Sequence, residues 1–243
     1  MHLLIDNSNT RTKLALAEGE TILAWRAVIP TSELSPETLD AALEGIVFEK
    51  VTVCSVVPKA AEMMEVYFEA PLHRISHRSV LPVKINYPKP EQIGADRLAN
   101  ATAAVAKYGA PAIVIDFGTA VTFDVADASG AYLGGAIAPG TASLRDYLHR
   151  STALLPSIQL TEPKSAIGKS TEEAMQVGAV IGYRGLICEI LQQIKAELGG
   201  EPVIIATGGD AALIASGLEE IETLDPDLTL EGIREIGVTN HEK

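Results

Sequence analysis

Two stretches of this chain repeat one short design: an apolar strand ends on an aspartate, turns through polar residues and leads into a second strand. The first runs through Leu3 to Ile5, the turn Asp6-Asn7-Ser8-Asn9-Thr10 and then Thr12 to Ala17. The second runs from Ala112 through Asp116-Phe117-Gly118-Thr119 to Val125, and setting Asp6 against Asp116 also sets Ile5 against Ile115 and Ser8 against Gly118. A carboxylate at the end of a buried strand is costly unless charge or hydrogen bonds meet it. A chain that does this twice is therefore constrained in both fold and chemistry. Two readings stand: an internal duplication, or two unrelated β-turns built from ordinary turn formers.

Between and after these units, strands alternate with helices, the pattern of an α/β fold. Helices are predicted over Pro36 to Phe48 and Ala60 to Glu69, with the strand Lys50 to Val56 between them. The second half continues with a strand over Tyr132 to Ala138 and helices over Thr141 to Arg150 and Thr171 to Leu198. A strand from Pro202 to Ala206 then runs into Thr207-Gly208-Gly209. Gly109 to Pro111 interrupts a helical region that starts at Asp96. The expected organisation is an N-terminal lobe, 1–110, and a C-terminal lobe, 111–243, packed closely with a ligand in the cleft between them.

Composition narrows the partners. A net charge of -13, with no block of Lys and Arg, repels a phosphate backbone and argues against nucleic acid. No uninterrupted apolar run reaches the roughly 18 residues of a membrane span, and Met1 to Thr10 lacks a secretory pattern. Cys54 and Cys188 are far apart in apolar surroundings, which suits reduced thiols. The expectation is a cytoplasmic protein without a membrane partner. The five histidines show no metal-ligand spacing. Gly168-Lys169-Ser170-Thr171 ends like a P-loop, but Pro163 stands where the first glycine is required.

A small anionic ligand remains compatible with overall acidity, because phosphate sites are built locally. Phosphoryl transfer needs cations across the transferring group and donors around its oxygens. Asp6 and Asp116 are the candidate cation holders, Thr10 and Thr119 the candidate phosphate contacts, and Lys13 a point charge on the phosphates. The alternative is that both aspartates only cap their turns.

The motifs taken together resemble the type III pantothenate kinases. D-N-S-N-T-R-T-K, Asp6 to Lys13, is similar to that family's first phosphate motif, and D-F-G-T-A-V-T-F-D, Asp116 to Asp124, to its second. Y-P-K-P-E-Q-I-G-A-D-R, Tyr87 to Arg97, resembles its pantothenate and catalytic segment. Gly134 to Gly140, Ala166 to Thr171, the A-T-G-G-D-A of Ala206 to Ala211 and the tail from Leu228 follow in the family's order.

The resemblance implies two tandem actin-like, ribonuclease-H-like lobes and ATP-dependent phosphorylation of pantothenate to 4′-phosphopantothenate, the first step of coenzyme A synthesis. It implies that Asp96 is the general base. ATP would be bound by Asp6, Asn7, Ser8, Asn9, Thr10, Arg11, Thr12, Lys13 and Thr119, and pantothenate by Tyr87, Gly94, Ala95, Asp96, Arg97 and Thr171. It further implies magnesium, more weakly placed at Asp6, a monovalent cation, potassium or ammonium, at Asp116, and a homodimer.

Read as an isolated residue, Asp96 equally suits a partner of Arg97 or a cap for its helix. Ser8 departs from the family, which has glycine there. A Cβ at that point either crowds the phosphate and strains the backbone or supplies a hydroxyl donor. The alternatives on the same fold are a non-catalytic nucleotide-binding or regulatory protein and a phosphotransferase for another small molecule.

Overall fold

A computed structural model describes residues 1–241. By contacts the chain forms two compact units. One comprises Met1–Gly109, Gly130–Leu133 and the C-terminal stretch from Asp227; the other comprises Ala110–Ser129 and Gly134–Pro226.

The first unit is built on strands β1 (His2–Asn7), β2 (Arg11–Glu18), β3 (Thr21–Pro30), β4 (Lys50–Ser55) and β5 (Leu72–Arg74), in the order β3-β2-β1-β4-β5. β1 pairs antiparallel with β2 and parallel with β4. The parallel steps require crossovers, which are α1 (Pro36–Ala42) and α2 (Pro58–Tyr67). Both helices open on proline, whose fixed φ suits the first helical position. Ser35 and Thr38 close a capping box on α1. This helix ends at Ala42 rather than Phe48, and the turn that follows uses Gly45 at φ +73, a left-handed angle that glycine adopts without penalty.

Alternation along β1 sends successive side chains to opposite faces. Leu3 and Ile5 pack with Leu39 of α1 and Met64 of α2. Leu4 joins Ala95 and Ala99 of α3 (Ala95–Tyr108) and Ile233 and Ile236 of α8 (Leu228–His241) on the other face. The α3–α8 contact is close because position 232 is glycine: a Cβ there would collide with the Ala99 carbonyl. A buried hydrogen bond, donated by Thr229 Oγ1 to Asn100 Oδ1 at 2.8 Å, joins the same two helices.

The second unit repeats the sheet order. β6 (Ala112–Phe117), β7 (Ala120–Ala126), β8 (Tyr132–Pro139), β9 (Val203–Thr207) and β10 (Thr223–Leu224) lie as β10-β9-β6-β7-β8. β6 again pairs antiparallel with the next strand and parallel with β9. Read from the third strand of each set, the two orders are the same, so β6 takes the place of β1 and Asp116 the place of Asp6. This shared topology favours duplication over two unrelated turns.

Helices α4 (Thr141–Ser151), α5 (Thr171–Val177), α6 (Tyr183–Leu198) and α7 (Ala211–Ala215) complete this unit. The predicted helix Thr171 to Leu198 is continuous but contains a π-turn at Gly178–Gly182. Its 28 residues meet the length and apolar composition of a membrane span, with 33% of the qualifying window buried. Arg184 ties the stretch into the unit through Glu162 and the carbonyls of Leu213 and Ile214.

Three histidines gather where α8 meets the first sheet. Thr52 Oγ1 lies 2.8 Å from His2 Nε2 and 3.1 Å from His241 Nε2, and the His73 and His241 rings are in edge contact. Burial first, with nearby His241 and Lys50, pushes the His2 imidazole down to about 3. Burial and His241 lower His73, and burial lowers His241. An unfolded chain binds the His2 proton below about pH 6.5 while the folded one refuses it, so stability is full above that pH and is lost toward pH 3. The expected slope is about 1.4 kcal/mol per pH unit for this one proton. Urea unfolding across mildly acidic pH should show it, and His2→Asn should flatten it.

Candidate active site

The β1–β2 register sets Asp6 opposite Lys13 and Asn7 opposite Thr12. Opposed residues project on the same face, and Lys13 Nζ approaches Asp6 Oδ2 at 3.3 Å. Asp6 is only 7% exposed. Burial pushes its carboxyl above the usual range, with Lys13 pulling the other way.

Asn7 and Thr12 point inward. Asn7 Nδ2 donates to Thr12 Oγ1 at 2.7 Å, and Ser55 Oγ donates to Asn7 Oδ1 at 2.6 Å. Thr31 Oγ1 donates to the Ser8 carbonyl at 2.8 Å, tying β3 to the turn. These two predicted ATP contacts therefore hold the turn by their side chains. Asn9, Thr10 and Arg11 stand exposed at its tip. Ser8 closes the turn, its N–H and hydroxyl both directed at the Arg11 carbonyl at 3.0 and 3.1 Å. Among the described residues no residue other than glycine has positive φ, so serine here meets no left-handed strain.

Asp96 is the second residue of α3, within the first turn, where unpaired N–H groups favour a carboxylate. Gly94 is the helix cap and has no side chain to fulfil that role. The Asp96 Oδ1 accepts from the Arg97 backbone N–H at 2.8 Å. Burial raises the Asp96 carboxyl; the Asp6 charge adds to the rise, and the Arg97 N–H and guanidinium oppose it. A Cβ at position 94 would sit 2.5 Å from Asp96 Oδ1, so any larger residue there would push the carboxylate aside.

The pantothenate segment is held by a residue that sequence reasoning did not single out. Tyr132, fully buried, accepts from the Asn86 N–H at 2.9 Å and donates its own N–H to Lys84 O at 2.8 Å. Its ring lies 6.3 Å from that of Tyr87, and the Arg97 guanidinium carbon sits 5.8 Å from its centroid. Tyr87 and Arg97 thus meet around Tyr132, one residue from Asp96. The available signal was an aromatic opening a strand two residues after Gly130, a weak one.

In the second unit Asp116 is the penultimate residue of β6, half-buried, with Thr119 exposed beyond it. Gly208, at φ +95, runs so close that a Cβ would stand 2.6 Å from Asp116 Oδ1. Gly140 donates its N–H to the Thr119 carbonyl at 3.1 Å, and a Cβ at 140 would collide with the Gly118 carbonyl. Thr171 stands exposed at the start of α5, which is capped by Ser170.

The sequence profile of the type III pantothenate kinases matches residues 2–193. A type III pantothenate kinase of Akkermansia muciniphila is 57% identical over 233 residues, spanning 96% of each chain. The chain belongs to the type III pantothenate kinase family. Among solved structures it is similar to a conserved Campylobacter jejuni protein named for the Baf family of transcriptional activators, with TM-score 0.66 and 20% identity over 99% of this chain and 100% of that one. It is also similar to the activator of 2-hydroxyisocaproyl-CoA dehydratase from Clostridium difficile, solved with bound ADPNP, with TM-score 0.54 and 15% identity over 99% and 94%. Those two likenesses concern the fold, which is the α/β architecture of actin-like ATPases and sugar kinases.

For a member of this family, Gly94→Ala should displace the Asp96 carboxylate with little loss of fold. If Asp96 is the base proposed below, turnover is expected to fall by about 10- to 100-fold, the scale of a displaced reacting group, while the melting temperature stays close to wild type.

Proposed function

We propose that this chain transfers the γ-phosphoryl group of ATP to the primary hydroxyl of pantothenate, giving 4′-phosphopantothenate for coenzyme A synthesis. The observation that carries the reading is Asp96: a carboxyl raised by burial and by Asp6 and fixed by the N–H of Arg97, whose guanidinium packs with Tyr87 about Tyr132, in a chain of this family. A carboxylate in such surroundings is a stronger base than one in water. Asp96 accepts the hydroxyl proton as that oxygen bonds to phosphorus and the bond from the γ-phosphorus to the leaving ADP oxygen breaks. Arg97 and Tyr87 orient the acceptor through hydrogen bonds.

The first turn binds the phosphates through Lys13, Thr10 and backbone N–H groups, with Asn7 and Thr12 keeping it rigid. Thr119 contributes from the second turn. Ser8 fills the usual glycine position without strain, which supports retained activity.

Magnesium and a monovalent cation belong to the same proposal. Among the described residues no three His, Cys, Asp or Glu side chains gather as a metal cluster. This suits ions held largely by phosphate oxygens and water with one protein carboxylate. The buried Asp6 carboxylate fits magnesium, and the room that Gly208 leaves beside Asp116 Oδ1 fits a monovalent ion. When bound, these cations neutralise charge on the transferring group.

The enzyme is proposed to be cytoplasmic, which Cys54 and Cys188 as reduced thiols suit. It is also proposed to be a homodimer, supported by exposed apolar side chains of the second unit: Ile137 at 64%, Tyr147 at 65%, Leu154 at 90% and Ile167 at 70%.

Asp96→Asn tests the base directly. Turnover should fall by roughly two to four orders of magnitude while calorimetry shows unchanged nucleotide affinity. A near-wild-type rate would remove Asp96 from the role.

A further inference from the structure

The second turn is enclosed by two loops, and one side chain joins them. From one side Gly140 donates its N–H, and Ser143 its hydroxyl, to the Thr119 carbonyl, both at 3.1 Å. From the other, the Asp210 N–H reaches the Phe117 carbonyl at 3.4 Å, directly after Gly208 passes Asp116. The Asp210 carboxylate then accepts from the hydroxyl of Thr141, the first residue of α4 and only 2% exposed. Tyr183 holds the adjoining strand end, its hydroxyl donating to the Pro139 carbonyl at 3.1 Å.

Asp210 occupies the cap position of α7, where an aspartate ordinarily accepts from its own helix. It makes no such bond; its carboxylate is directed 69 residues back along the chain. A charged acceptor makes the stronger class of hydrogen bond. Its backbone contacts the acidic turn and its side chain the start of α4, so it sets the spacing of both loops around Asp116 and Thr119.

We propose that Asp210 and Thr141 form a clasp that positions the second turn for ATP, with Asp210 a positioning residue rather than a catalytic one. The proposal rests on the kinase reading, in which Thr119 contacts phosphate. Losing the clasp should weaken nucleotide binding selectively, because Tyr87, Asp96 and Arg97 are held by bonds it does not touch.

The test is calorimetric binding of a non-hydrolysable ATP analogue with magnesium, together with KM for ATP and for pantothenate. Asp210→Ala and Thr141→Val should each weaken the analogue about tenfold, the effect of losing one hydrogen bond to a charged group. KM for pantothenate should stay within about twofold. Thr141→Ser, which keeps the hydroxyl, should restore affinity, and the double variant should bind no worse than either single one. Thr141→Val removes one polar atom at nearly constant volume, so it decides the matter alone if Asp210→Ala fails to fold. Unchanged analogue affinity in a folded clasp variant, or additive losses in the double one, overturns the clasp. A wild-type protein that binds no analogue overturns the kinase reading and this proposal with it.

Discussion

The constraint on which the first unit depends is the burial of two carboxylates in it. Asp6 sits one residue before the end of β1 at 7% exposure, and its charge raises Asp96 at the start of α3. Neither is stable there without help, since burial disfavours the charged form of each and their like charges compound the cost. Lys13 answers the first through the β1–β2 register, and the Arg97 N–H and the helix start answer the second. Much of the surrounding structure serves this placement. The Asn7–Thr12–Ser55 bonds fix the turn, glycine at 94 leaves room for the carboxylate, and the packing of Ala95 and Ala99 beneath Leu4 fixes α3 against β1.

The second unit handles the same problem with a different vocabulary. Asp116 takes the topological place of Asp6, and glycines adjoin it. Gly208 and Gly140 bring backbone within van der Waals range of the turn, and the Thr141–Asp210 bond joins the loops that carry them. One sheet design therefore presents an aspartate paired with Lys13 in one unit and an aspartate closely approached by glycine backbone in the other. The proposed occupants differ accordingly: nucleotide phosphate with magnesium at the first, a monovalent ion at the second.

Much of this was legible because the signals were local. The two strand-Asp-turn-strand runs lie where β1–β2 and β6–β7 form, and the helix after Gly94 begins at Ala95. What escaped was decided by tertiary context. β3 shows no alternation in its sequence because apolar Ala24 and Val28 occupy its exposed positions, although burial alternates from Leu23 onward, and β5 is only three residues long. Nothing in the tail announces that α8 packs on α3 and β1, an arrangement permitted by glycines at 232 and 237. Within the site, motif reasoning could not separate residues that face a ligand from those that brace the turn. Asn7 and Thr12 share a motif with Thr10 and Lys13, yet their polar atoms are committed inside. Tyr132 belongs to no motif and emerges only because a β-bridge to Ile85 carries it beside Tyr87. Ser8 shows the converse: its effect on backbone strain could be judged only from the φ angles observed.

The central claim is that this chain phosphorylates pantothenate with ATP. The most direct measurement is product formation by the purified protein with magnesium-ATP and pantothenate, with potassium present or withheld and other hydroxyl acceptors in competition. The account predicts 4′-phosphopantothenate as the preferred product, formed faster with potassium. A folded protein that yields none under any condition, or that prefers another acceptor, would contradict it.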